Sequence, residues 1–433
     1  MILQRGEPGG LARRVVAACC LAGVSAFAGN WPQWRGPGGN GTAAAGDYPL
    51  VFSPSNGVLW RVPLPGRGSS TPAVWGDRVF LTSGVGEGTN GQDGALCFDW
   101  ETGRRLWQVT LGPQRVGRHR RGNGSCPSPV TDGRHVFVYF KSGTLAAIDF
   151  AGNAVWRVNL QERYGRDTLL WDLGTSPVLA DGKLVVAVMQ DAGAYVVAFD
   201  PQTGDVRWKV PRPFPCAVES GDSYTTPLVT RQDGRTVLVL WGAGHLSGHD
   251  AADGRMRWSC GGFNPENKPR WRDIASPALD GDLVIVPYGR EQFTAGVRIG
   301  GEGDITSSAR LWERRGVGTD SSTPAAADGR AYLVNAKGRV WGIDLLTGRE
   351  CGTLLLPGGK GAFFSSPALA GDRLYLCREG GGVYVVRVAP DKLSLLSETH
   401  FDEVFVASPI LVRNRLLLRG ERSLLCIGAA PRP

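Results

Sequence analysis

The sequence predicts an all-β chain folded as an eight-bladed β-propeller of four-stranded antiparallel blades, with a seven-bladed ring as the fallback. Three observations carry that expectation. A phrase containing an Asp, a turn and a Trp recurs: FDWETGRRLW ending at Trp107, IDFAGNAVW at Trp156, FDPQTGDVRW at Trp208, HDAADGRMRW at Trp258, and IDLLTGRE from Ile343, which has lost its Trp. A second anchor, Ser or Thr followed by Pro, occurs at Thr71, Ser128, Ser176, Thr226, Ser276, Thr323, Ser366 and Ser408, with separations of 57, 48, 50, 50, 47, 43 and 42 residues. The chain ends are also complementary. GVLWRVPL, around Trp60, has no turn phrase before it, and RSLLCIG (422–428) reads as a third strand with no fourth after it.

Each unit resolves into four short strand candidates. After Ser176-Pro177 come VLA, a turn at Asp181-Gly182, KLVVAVM, a turn from Asp191 to Gly193, AYVVAFD, the PQTG turn and VRWKV, with alternation and turn residues where strands and hairpins need them. Proline fits a strand's first position, where no ladder N–H is required. In the recurring phrase the Asp side chain accepts turn N–H groups, Gly supplies positive φ and Thr adds a hydroxyl. Trp60, Trp107, Trp156, Trp208, Trp258 and Trp312 are expected on the outermost strands, packed between neighbouring sheets. The slots near Cys351 or Gly352 and Leu395 are degenerate. An N-terminal strand that completes the last blade leaves the ring without a free edge.

The first 28 residues read as an export signal: Arg13 and Arg14, then a mostly apolar run to Ala28 ending Ala26-Phe27-Ala28. That run is shorter than the ~20 residues a spanning helix needs. A lipoprotein-type reading of Val16-Ala17-Ala18-Cys19 leaves too few apolar residues after Arg14. The expected organisation is a signal peptide at 1–28, an N-terminal extension at 29–54 and one propeller domain at 55–430, exported to the periplasm or beyond, with no transmembrane anchor. Loss of Arg5, Arg13, Arg14 and Glu7 takes the formal charge from +8 to +6 (8 − 3 + 1). The remaining excess is scattered, and no nucleic-acid-binding motif is present, so nucleic acid is not an expected partner. The densest basic run, RVGRHRR (115–121), reads as a solvated loop among glycines. Seven cysteines follow the signal, with no CxxC spacing. Cys97, Cys377 and Cys426 lie in apolar strands as small hydrophobes, and disulfide pairing stays open.

The repeated phrase and its Ser/Thr-Pro anchors resemble the PQQ-like β-propeller repeat family, which includes quinoprotein alcohol dehydrogenases and the BamB proteins of outer-membrane β-barrel assembly. The resemblance covers roughly residues 55 to 430. WPQWRGPGGNG (31–41) and AGVRIGGEGDITSSARLW (295–312) further resemble a secreted bacterial branch of unknown function. For the dehydrogenases the resemblance implies a quinone clamped between a Trp and adjacent cysteines, with a metal ion held by carboxylates. Here the adjacent cysteines, Cys19 and Cys20, fall within the signal. PQQ is therefore suggested by the family alone, the cofactor is unknown, and no metal is expected.

No nucleophile elbow, HExxH or phosphate-binding loop occurs, and His245 and His249, four apart on a strand, are too far apart to chelate. The candidate channel-mouth residues lie four to six positions before each anchor proline: Arg67, Asn123, Trp171, Asp172, Asp222, Trp271, Arg272, Asp273, Asp320, Phe363 and Glu403. The acids among them either hold a small ligand or cation in the central channel or cap turns and pair with Arg67 or Arg272. The expected function is a non-catalytic exported scaffold with a protein partner in the cell envelope. The alternative is a PQQ- or cation-dependent oxidoreductase, or a carbohydrate-active enzyme, working at the channel mouth.

Overall fold

The computed structural model describes residues 29–86 and 90–428. The expected signal peptide, with Cys19 and Cys20, lies outside them. Eight antiparallel sheets form the blades of a propeller: blade 1 (73–113), blade 2 (130–159), blade 3 (178–211), blade 4 (228–260), blade 5 (278–315), blade 6 (325–355), blade 7 (368–400) and blade 8 (410–427). Blade 8 takes its fourth strand from the other end of the chain, where Val58–Pro63 pairs antiparallel with Ser423–Ile427. The closure read from the two fragments is the one observed. Blade 3 follows the predicted strands closely, as Val178–Ala180, Lys183–Val188, Tyr195–Phe199 and Val206–Pro211.

A four-stranded sheet has two apolar faces and buries both only between neighbours. The core accordingly divides into eight clusters, one in each seam between adjacent blades. Within five seams the outer-strand indole donates its N–H to a carbonyl of the next blade's turn. Trp60 donates to Trp100 O, Trp107 to Phe150 O, Trp156 to Pro201 O, Trp208 to Ala251 O and Trp312 to Leu345 O, at 2.9–3.1 Å. Each acceptor directly follows the turn Asp, whose carboxylate holds the turn: Asp200 Oδ1 accepts the N–H groups of Gln202 and Thr203 at 2.7 and 3.1 Å. The turn glycine lies under the docked ring. The two halves of the repeated phrase are therefore a plug and its socket on neighbouring blades.

The seams that lack this device are filled otherwise. Blade 5 replaces the turn phrase by residues 299–309; Gly303–Asp304 adds a parallel fifth strand beside Met256–Cys260, and Ile305 and Ala309 pack with Trp258. The Trp258 N–H turns back to Gln232 Oε1 of its own blade, at 3.0 Å. Blade 7 has no outer Trp, and Tyr48 and Phe52 of the N-terminal segment join its seam with blade 8. All seven cysteines among the described residues are free thiols. Cys97 and Cys426 sit cross-strand from Trp107 and Trp60, where a small residue leaves room for the indole.

The Ser/Thr-Pro anchors form a closed belt around the axis. The backbone N–H of each anchor donates to the hydroxyl of the next one, from Thr71 to Ser128, Ser176, Thr226, Ser276, Thr323, Ser366, Ser408 and back to Thr71, at 2.9–3.2 Å. Proline therefore begins each inner strand, and the hydroxyl before it joins that strand to the neighbouring blade.

Gly204 and Gly234 separate the docking contact from backbone strain. Both are left-handed, at φ +75° and +76°, but a Cβ on Gly204 would lie 2.8 Å from the Trp156 ring, whereas one on Gly234 would meet nothing within 4 Å. Each Ala substitution carries a backbone cost of about 1–2 kcal/mol. Gly204→Ala is expected to cost about 1–3 kcal/mol more than Gly234→Ala, the price of overpacking, as read from urea unfolding midpoints.

Candidate functional site

Inner strands are preceded by loops that converge on one end of the channel, and the parity of the strand decides what they present. The anchors and the residues two positions before them point to the axis. Ser69, Cys126, Gly174, Tyr224, Ile274, Ser321, Phe364 and Val406, together with seven of the eight anchors, line a channel cavity of about 140 Å³. At the mouth it is continuous with a cavity of about 460 Å³ that shares Ser69, Cys126, Tyr224 and Phe364 and adds His119, Arg121, Arg290 and others. The layer immediately above the anchors, three positions before each proline, lies one residue beyond the end of the window of sequence candidates. Period-two alternation from the anchor hydroxyl was the signal that would have found it.

The predicted residues separate into three groups. Trp171, Asp172, Arg272 and Asp320 line the mouth cavity. Arg67 and Asn123 border it: Arg67 pairs with Glu421 at 2.6 Å, and Asn123 is buried and donates to Ser69 Oγ at 3.0 Å. The others serve the fold. Asp222 is buried and accepts the Asp191 N–H at 3.3 Å; Asp273 is buried and accepts the Gly244 N–H at 3.0 Å. Trp271 packs against Phe293 under the Lys268 ammonium. Phe363 is buried beneath the Arg378 guanidinium. Glu403 is buried and accepts the Ser423 hydroxyl at 2.6 Å.

The acids therefore do not converge on a common point. Asp172 Oδ2 accepts the N–H of Asn123 at 2.9 Å and the Cys126 thiol at 3.4 Å, and its Oδ1 accepts the Leu173 N–H at 2.8 Å. Asp320 is paired with Arg290 at 2.8 Å. Burial, with Asp191 nearby, pushes the Asp222 carboxyl up to about 7, and burial pushes Asp273 up to about 7 against the Gly244 N–H and Arg212. Arg67 and Arg272 do find carboxylates, Glu421 and Glu219.

The basic run 115–121 is not a solvated loop. It crosses the mouth: the N–H groups of Arg118 and His119 donate to Leu170 O and Trp171 O of the loop leading to blade 3. Arg120 and Arg121 both grip Glu379 of blade 7, and Arg121 reaches Glu421 of blade 8. Burial raises the Glu379 carboxyl, but hydrogen bonds from Arg120 and Arg121 outweigh it and draw the group down to about 2. At the other end of the channel, residues 31–43 form a plug. Trp31 exchanges backbone hydrogen bonds with Val74, Pro32 O accepts from Thr131, Asn40 O from Ala326 and Gly41 O from Leu369. Trp34 reaches the channel cavity from this side.

The mouth is a poor fit for a quinone with its metal ion. One face of Trp171 is covered by the Arg272 guanidinium, 5.0 Å from the ring centre. The nearest carboxylates are saturated by N–H and thiol donors or by Arg290, which leaves no set of oxygens to hold a divalent cation. Among the described residues no cluster of His, Cys, Asp or Glu has metal-binding geometry.

An eight-bladed ring whose seams are fixed by Trp and Asp-turn repeats is a PQQ-like β-propeller. The chain belongs to the family described as outer membrane protein assembly factor BamB, whose model matches residues 92–353 and 303–394. It is 23% identical over 365 residues to the outer membrane protein assembly factor BamB of Burkholderia pseudomallei (strain K96243), covering 74% of this chain and 85% of that one. The crystal structure of BamB from Moraxella catarrhalis matches with a TM-score of 0.60 at 14% identity, over 86% of this chain and 99% of that one. The quinohemoprotein alcohol dehydrogenase from Comamonas testosteroni matches at 0.68 and 14% identity, over 94% and 82%. At these identities the two structures report a shared fold. Among the described residues no helix is long and apolar enough to cross a membrane.

Asp273 supplies a pH test of the buried acids. Its folded pKa lies above the unfolded value of about 3.9, so the unfolded chain sheds this proton first and stability falls as pH rises between about 4 and 7. Asp273→Asn keeps an acceptor for Gly244. Relative to the unmodified chain its stability is expected to climb from no difference near pH 4 to a plateau on the order of 4 kcal/mol above pH 7, measured by denaturant titration across that range.

Proposed function

We propose that this chain is a non-catalytic propeller scaffold in outer-membrane protein assembly, exported to the periplasm, that docks a partner protein with the face around its channel mouth. Family membership supports the assembly role. The observation that carries the docking face is a group of exposed apolar side chains on its loops: Val116 at 55%, Leu170 and Trp171 at 38%, and Val218 at 73%.

These loops are held in a common frame. Backbone hydrogen bonds join 118–119 to 170–171 and Arg270 to Val218, and Arg272 links Glu219 to the Trp171 ring. Arg67, Arg120, Arg121 and Arg272 are paired with Glu421, Glu379 and Glu219, whereas Arg118, Arg166 and Arg270 on the same loops are exposed, so the apolar patch is rimmed by positive charge. A Trp backed by an Arg in a fixed loop frame has the composition of an interface hot spot.

The test uses the purified chain to capture envelope proteins, followed by titration with the assembly component that is recovered. Trp171→Ala and Val218→Asp are each expected to weaken binding at least about ten-fold, the scale of a hot spot. Leu355→Asp, on the outer rim at 58% exposure, should leave it unchanged. Equal binding by all three variants would refute the docking face. Recovery of no assembly component would refute the role.

A further inference from the structure

The channel holds a set of hydrogen-bond donors that the fold leaves unused. Each hydroxyl of the anchor belt accepts one N–H. Among the described residues none of those eight hydroxyls donates to a protein acceptor, and seven of them line the channel cavity of about 140 Å³. Tyr224 lines the same cavity, but its hydroxyl lies toward the mouth beside the Trp171 N–H, Asp222 and Arg272, so the belt hydroxyls are the donors that face the axis. Buried hydroxyls are costly unless something accepts from them.

Charge decides what that acceptor is. Two buried arginines without a carboxylate partner flank the belt. At the plug end Arg35 donates to Pro367 O at 2.6 Å and Pro324 O at 2.7 Å, the carbonyls that directly follow Ser366 and Thr323 of the belt. At the mouth end Arg419 donates to Ser70 O at 3.0 Å and Ser70 Oγ at 2.7 Å, directly before Thr71. Arg35 Nε and Arg419 Nε and Nη2 have no partner. Burial draws both guanidiniums down to about 9, with Glu403 and Glu421 acting on Arg419 from outside contact distance, so both remain charged at neutral pH. No carboxylate lines the channel cavity, and burial keeps the Cys126 thiol protonated.

We propose that the hydroxyl belt binds one small inorganic anion of halide size on the propeller axis, held by O–H donors of the anchors in the field of Arg35 and Arg419. A cation is disfavoured because each belt oxygen has already committed a lone pair to an N–H and the flanking charges are positive. The cavity has room for the ion and a few waters, at about 30 Å³ per water. An ion bound there touches several blades at once and stabilises the closed ring by mass action.

Thermal unfolding of the full chain is followed at constant ionic strength while sodium methanesulfonate is replaced by sodium chloride or bromide, and crystals soaked in bromide are measured for anomalous scattering. The melting temperature is expected to rise saturably with halide, and an anomalous peak is expected inside the belt. Thr323→Val, which removes one belt hydroxyl at nearly constant shape, should shift the halide midpoint about two- to ten-fold higher, the range for one hydrogen bond. Bromide-soaked crystals with only water in the channel would overturn the proposal. So would a halide response unchanged in folded Thr323→Val, or one that follows exchange of sodium for potassium at fixed halide.

Discussion

The rest of the molecule depends on a short hydrogen bond between blades, from an indole N–H to the carbonyl that follows a turn aspartate. It fixes the distance and angle between two sheets that otherwise share only apolar contact, which has no direction. The ring must lie flat on the turn glycine, so the contact specifies register as well as proximity. Where the device is missing, the chain spends extra residues. The insertion at 299–309 covers Trp258, and Tyr48 and Phe52 occupy the seam of a blade whose Trp has been lost. These replacements show that the seam must be filled and that an indole is one solution among several.

The sheets are joined at two radii. The indole contacts lie at the periphery, and the belt of anchor hydroxyls closes the inner strands around the axis. A propeller held only at its rim could open at the centre, and one held only at its centre could splay. The plug at 31–43 and the arginine loop at 114–124 then cover the two ends of the channel from opposite sides, joining blades far apart in sequence.

Blade number, strand order, closure by the N-terminal strand and the role of the repeated Trp were legible in the sequence because each is written in a stretch of ten residues or fewer, several times over. The belt was not. Proline explained its own position, but a hydroxyl accepting from a residue about fifty positions away leaves no local trace. The channel lining was missed by a single position, since an offset counted from proline does not respect strand alternation. Arg120 and Arg121 read as solvated because their acids, Glu379 and Glu421, lie about 260 and 300 residues further on. Asp172, Asp222, Asp273 and Asp320 shared offsets without sharing a destination. Two line the mouth and two are buried behind it, because the loops that carry them differ in length.

Closure by Val58–Pro63 has a temporal meaning. As the chain emerges N-terminus first, each blade from the first to the seventh can condense on the one before it, through contacts less than about sixty residues apart, which favours rapid assembly. The strand that carries Trp60 must wait for Ser423–Ile427, more than 350 residues later, before it has a neighbour. Throughout that interval an unpaired edge is open to the wrong strand. The protein's most hazardous moment therefore precedes its completion, and a chaperone that shields this one segment would protect the entire circle.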